Sequence, residues 1–128
     1  MDFLTRLQIE AIPDRARLWK VLSPLRFQGR DRVLEVPEGY ITDLTSSPRA
    51  TWIIVPPTGI YVSAAVLHDF LYTSGILSRK DSDGVFRRAM KASGTPAWQR
   101  KAIYWSVRMG GRKAWNKCRK GDVKNKVS

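Results

Sequence analysis

The hydrophobic pattern of the chain changes period near its middle, and that change constrains the fold more than any other feature. Up to about residue 44, short runs alternate apolar and polar residues, as half-buried strands do. From about residue 61, apolar residues recur three and four apart, as on one face of a helix. LQIEAI (7–12) alternates and then meets Pro13. RLWKVLSPLRFQG (17–29) carries apolar and aromatic residues, with Pro24 predicting an edge or a bulge because proline cannot donate to a ladder. RVLEVPEGYITDL (32–44) alternates around a V-P-E-G turn, where Gly39 can take the positive φ of a type II turn. These segments predict strands of a small antiparallel sheet. TDLTSSPRATWIIVPPTG (42–59) reads as a connector, since Pro56 and Pro57 block helix just before Gly59.

Helices follow. Residues 61–74 place Ala64, Leu67 and Leu71 on one stripe. Residues 79–92 form a second helix, with Ser78 as its cap and Asp81 three residues on, as in a capping box. Gly94 and Pro96 end it. A third helix is predicted over 96–109, carrying Trp98, Ile103 and Trp105 and broken by Gly110 and Gly111, with a short further helix before the tail frays. The fold class is therefore α+β: a small N-terminal antiparallel β unit, then a bundle of three to four α-helices. The 128 residues read as one domain, with a β-rich part (1–58), a helical part (59–115) and a basic, frayed tail (116–128).

Composition narrows the setting. A lone Cys118 excludes an internal disulfide framework and a multi-cysteine zinc site. No apolar run approaches the roughly 20 residues that span a bilayer, and the first residues lack a signal peptide's layout. The expectation is a soluble protein kept inside a cell. Residues 1–86 hold ten basic and ten acidic side chains, whereas residues 87–128 hold thirteen Lys and Arg and the single acid Asp122. The whole net charge of +12 thus lies in the last third. Such a block suits an anionic membrane, nucleic acid or an acidic protein surface, with Arg100, Lys101, Arg108, Arg112, Lys113, Lys117, Arg119 and Lys120 as contact candidates. The plainer alternative is a solvated helix face and tail.

The chemistry-bearing stretch is AAVLHDFLYTSG (64–75), which holds His68, the one histidine of the chain. On a helix His68 and Tyr72 share a face, while Asp69 points about 100° away. Asp83 shares a stripe with Phe86 and Met90, the side expected to be buried, where a carboxylate needs a partner. A short loop makes the two helices antiparallel neighbours. His68 then lies roughly 9 Å before the end of one, and Asp83 roughly 6 Å into the next. At such similar heights Asp83 can accept a hydrogen bond from one imidazole nitrogen and leave the other as a base. Asp69 can hold a hard cation through oxygen. The alternative is a buried His–Asp hydrogen bond that only stitches two helices together.

Two resemblances attach to these residues. VPEGYITDLTSSPR, GIYVSAAVLHDFLY and DGVFRRAM together resemble a family of small proteins of tailed bacteriophages and prophages, catalogued as a domain of unknown function. The likeness covers about residues 34–115, with Ser82 where the pattern has alanine. It implies a place in the host bacterial cytoplasm or the phage virion, and virion proteins as partners, but no activity. H-D-x-x-Y followed by D-x-x-F, over about residues 59–90, is similar to phospholipase A2, above all the short parvoviral form. That resemblance implies a catalytic set of His68 as general base, with Tyr72 and Asp83 orienting it. It also implies Asp69 as ligand of a calcium ion that polarises the ester carbonyl. The chain departs from it in carrying PPTGIY, with a single Gly59, where those enzymes have a glycine-rich calcium loop.

Asp43, in T-D-L-T-S-S-P-R, is a candidate further cation ligand, or else the start of a hydrogen-bonded turn leading to Pro48. Ser46 and Ser47 lie in no nucleophile elbow, and Arg49 can bind phosphate or pair with Asp43. Trp98, Trp105 and Trp115 lie among basic residues, as base-stacking or lipid-anchoring aromatics do. The spacing of Trp98 and Trp105, seven apart, favours instead the core face of an amphipathic helix. Two functions stand against each other. One is a phage-encoded metal-dependent hydrolase of a phospholipid or other ester. The other is a non-enzymatic virion or accessory protein with a structural His/Asp cluster. A protein that binds and blocks a host factor is a third.

Overall fold

The computed structural model describes residues 2–13, 18–43 and 62–119. Its strands are β1 (Asp2–Phe3), β2 (Ile9–Ala11), β3 (Leu18–Val21), β4 (Leu25–Gln28), β5 (Val33–Val36) and β6 (Ile41–Asp43). Three helices follow, α1 (Val62–Ser74), α2 (Arg79–Ala92) and α3 (Ala97–Arg119). The α+β class predicted from the change of period is the one observed.

The strands pair differently from the single small sheet expected. They form two antiparallel three-stranded sheets, β1–β4–β5 and β2–β3–β6. The chain crosses between them once from β1 to β2 and then at two prolines. At Pro24 the run 17–29 divides into β3 in one sheet and β4 in the other, and at Pro37 the run 32–44 divides into β5 and β6. Proline has no amide hydrogen, so each marks a place where a ladder must stop. Thr5 closes the crossing at the first proline, its hydroxyl donating to Pro24 O at 3.0 Å and accepting from Arg26 N at 2.9 Å. At the second, Gly39 has φ 88° and donates to Val21 O at 2.7 Å. Alternation survives within β4 and β5. Leu25 and Phe27 are buried on either side of exposed Arg26, and Leu34 and Val36 on either side of exposed Glu35.

α1 packs against α2 and α3 and against one strand of each sheet, β5 and β6. This explains its nearly continuous apolar sequence, since Ala64, Val66, Leu67, Leu71 and Tyr72 are all buried. α2 has the expected limits and cap, Ser78 Oγ accepting from Asp81 N at 3.1 Å. It is amphipathic, burying Asp83, Val85, Phe86, Ala89 and Met90.

α3 corrects two expectations. Gly110 and Gly111 do not break it; the helix runs on to Arg119, into the stretch read as a frayed tail. Gly111 is where α3 crosses α1: a Cβ there would stand 2.7 Å from Tyr72 Oη. Glycine's local cost to a helix is offset by this close approach. Nor do Trp98 and Trp105 face the core. Their relative exposures are 63% and 61%, and the buried stripe is Ile103, Val107 and Gly111. Ile103 and Val107 are four apart, and Gly111 lies one further turn along the same face.

Candidate functional site

The three helices meet at Asp83. It sits in the first turns of α2, on the buried stripe, and has no solvent exposure. Its carboxylate is bonded from both other helices. From α1, His68 Nε2 lies 2.8 Å from Oδ1, and Tyr72 Oη donates to the same oxygen at 2.6 Å. From α3, Arg108 Nη1 donates to Oδ2 at 2.8 Å. The helical spacing of His68 and Tyr72 delivers two donors to one acceptor, one turn apart. The expected matching of heights is observed.

Burial by itself would raise the Asp83 carboxyl, but the hydrogen bonds from His68, Tyr72 and Arg108 outweigh it and hold the group below the usual carboxylate range. Burial, with the bond to Asp83, pushes the Tyr72 phenol up, so it remains a donor. The bond to Asp83 raises Arg108 further. An ionised Asp83 can only accept, so Nε2 of His68 carries a proton and Nδ1 is the basic nitrogen of the neutral ring. Phe86 stacks on the imidazole at 4.3 Å and 22°, and Tyr72 lies against it at 4.4 Å. The ring is held in one plane with 14% of its side chain exposed.

Asp69 belongs to a second network on the adjacent face of α1, as the 100° offset requires. Its Oδ2 accepts from Tyr40 Oη at 2.8 Å and from Thr42 Oγ1, on β6, at 2.9 Å. Tyr40 Oη also lies 3.0 Å from Thr73 Oγ1. Burial, reinforced by Asp69, pushes the Tyr40 phenol up. Thus α1 is fixed to helices by His68 and Tyr72, and to the β part by Asp69. Asp43 ends β6, next to Thr42; its side chain lies outside the described groups, as do Ser46, Ser47, Arg49 and the PPTGIY segment up to Tyr61. Among the described residues no three His, Cys, Asp or Glu side chains gather as a metal cage.

Three of the basic candidates are engaged within the fold. Arg108, expected on an outer face, turns inward to Asp83. Arg119 reaches back to the end of α1, donating to Tyr72 O at 2.6 Å and Thr73 O at 3.1 Å, where a cation opposes the helix dipole. Its guanidinium lies over the Trp115 ring, which meets Tyr72 edge-on. Arg100 Nη1 donates to Thr95 O, while Lys101, Arg112 and Lys113 are exposed. Lys120 and the side chain of Lys117 lie outside the described groups. Sequence reasoning missed Arg79, whose Nη2 donates to Val107 O and Arg108 O, and it missed Tyr40 and Thr42. The one signal for the last two was their position just before Asp43 in a motif.

Residues 19–107 match the family model described as "Protein of unknown function (DUF1353)". A stretch of 74 residues is 36% identical to "Uncharacterized protein y4jT" of Sinorhizobium fredii (strain NBRC 101917 / NGR234). That stretch covers 56% of this chain and 22% of the relative, so the chain corresponds to a small part of a longer protein. No solved structure matches. The family match takes in His68, Asp69, Tyr72 and Asp83 and stops one residue short of Arg108. It extends over well more than half of the sequence, and the chain belongs to the DUF1353 family of proteins of unknown function.

Proposed function

We propose that this chain is a hydrolase in which His68, oriented by Asp83, activates water against an ester, with a phospholipid as the leading substrate. The observation that carries the reading is the 2.8 Å contact between His68 Nε2 and Asp83 Oδ1, which fixes the ring and leaves Nδ1 to act as base. Nδ1 takes a proton as water oxygen adds to the ester carbonyl carbon. Collapse of the tetrahedral species breaks the C–O bond to the alcohol, which leaves with the proton from Nδ1. Tyr72 and Arg108 are positioning residues that act through Asp83. Asp69, a hard oxygen donor held by two hydroxyls, would with Asp43 hold a calcium ion, whose chemistry when bound is to polarise the carbonyl. The likeness of H-D-x-x-Y followed by D-x-x-F to the phospholipase A2 pattern supports this assignment.

One observation favours a second reading. Asp83 is fully buried and balanced by the Arg108 cation, which is also how a structural latch among three helices is built. The chain would then be a virion or accessory protein. Hydrolysis of mixed anionic phospholipid vesicles, with calcium and with chelator, separates the two. Fatty acid release that is lost in His68→Ala supports the hydrolase. No release from the wild type, with His68→Ala folded but less stable, selects the latch.

A further inference from the structure

Among the described residues seven large apolar side chains are exposed, and the three most exposed are Met109 at 82%, Trp98 at 63% and Trp105 at 61%. All three are on α3. At roughly 100° per residue, positions 98, 105 and 109 fall within about 40° of one another. They make one stripe, roughly 16 Å long, along the helix. The stripe points directly away from Ile103 and Val107, on the face where a surface helix ordinarily carries polar residues. Exposed Lys101, Arg112 and Lys113 flank it, and the 23 residues of α3 include no Asp or Glu.

We infer that the outer face of α3 docks on an anionic lipid surface, lying in the plane of the interface with Trp98, Trp105 and Met109 immersed. Charge complementarity requires an anionic partner. Two tryptophans and a methionine between cations match a helix that lies at a headgroup boundary, where indole rings prefer to sit. A second copy of the chain is a poor occupant, because two acid-free helices would bring like charges together. A phosphodiester backbone is met by cations and hydrogen-bond donors, which the apolar stripe offers only at its flanks. No described helix is long and apolar enough to cross a membrane. The docking does not rest on catalysis at His68, since none of Trp98, Trp105 and Met109 takes part in the hydrogen bonds around Asp83.

The test is co-sedimentation with vesicles of ether-linked phosphatidylcholine, with and without ether-linked phosphatidylglycerol. Ether lipids carry no ester, so binding is read apart from hydrolysis. The wild type is expected to bind the anionic vesicles and to bind them less at high salt. The triple variant Trp98→Ser, Trp105→Ser, Met109→Ser is expected to bind about tenfold more weakly or worse. Its fold, checked by circular dichroism, should be intact because all three side chains are outside the core. Fluorescence quenching by brominated lipid gives a second readout, present in the wild type and lost in Trp98→Phe, Trp105→Phe. Equal binding by the triple variant and the wild type would overturn the inference. So would the absence of vesicle binding, with or without stripe-dependent binding to a duplex oligonucleotide or stripe-dependent dimerisation.

Discussion

Arg108 Nη1 stands 2.8 Å from Asp83 Oδ2, so a cation from the basic last third of the chain neutralises a fully buried carboxylate. The fold spends part of its excess positive charge inside itself. Arg108→Met should therefore strand the Asp83 charge. The expected loss is about 2 kcal/mol, below the roughly 3–5 kcal/mol typical of breaking a fully buried pair, because Arg108 is itself partly hydrated. Urea denaturation measures it. Adding Asp83→Asn to that variant should recover part of the loss, and a strictly additive result would show that the pair is not coupled.

Acid should act through the same carboxylate. Its folded-state value is depressed because the bonds from His68, Tyr72 and Arg108 outweigh burial. Between that value and the unfolded one, about 3.9, the unfolded chain binds a proton that the folded chain does not. Stability should thus be fully present above about pH 4 and fall as pH drops through the folded value. Chemical denaturation at several pH values should show this slope in the wild type. Asp83→Asn should be less stable overall and flatter in that window.

Gly111 and Gly110 should respond oppositely to alanine. At Gly111 a Cβ would meet Tyr72 Oη at 2.7 Å, so the helices must shift, at a cost of about 1–3 kcal/mol. Gly110 is exposed in the same helix, where alanine should stabilise by about 0.5–1 kcal/mol. Thermal melting of the two variants reads the difference. Equal shifts would mean that the crossing at Gly111 is not tight.

Ser82 is fully buried, and its Oγ has no hydrogen-bond partner among the described residues. Ser82→Ala removes a buried hydroxyl and improves helix propensity. It should raise stability by about 0.5–1 kcal/mol without altering the His68–Asp83 contact. A loss of stability in the same melting assay would indicate a partner for that hydroxyl.

The most legible parts in sequence were those governed by local rules. α2 could be bounded because Ser78 and Asp81 form a cap and Gly94 ends it. The His68–Asp83 contact could be anticipated because a short loop sets two helices at matched heights. What escaped depended on distant partners. Arg108 and Arg119 looked like a solvated face because Asp83 and the end of α1 are 25 and 46–47 residues away from them. Gly111 looked like a helix break because its cost is local, whereas its reason, Tyr72, is tertiary. Trp98 and Trp105 share a stripe whichever way it points; Ile103 and Val107 decide the direction. Alternation located the strands but could not say that Pro24 and Pro37 hand the chain from one sheet to the other.

Arg108 and Met109 are consecutive. One peptide unit separates the cation that balances the buried Asp83 carboxylate from Met109, the most exposed large apolar side chain among the described residues. α3 runs through this point as one uninterrupted helix, anchored again at Arg119, so it has little slack to absorb a pull. Whatever grips the outside of α3 also has a hand on the lock around His68.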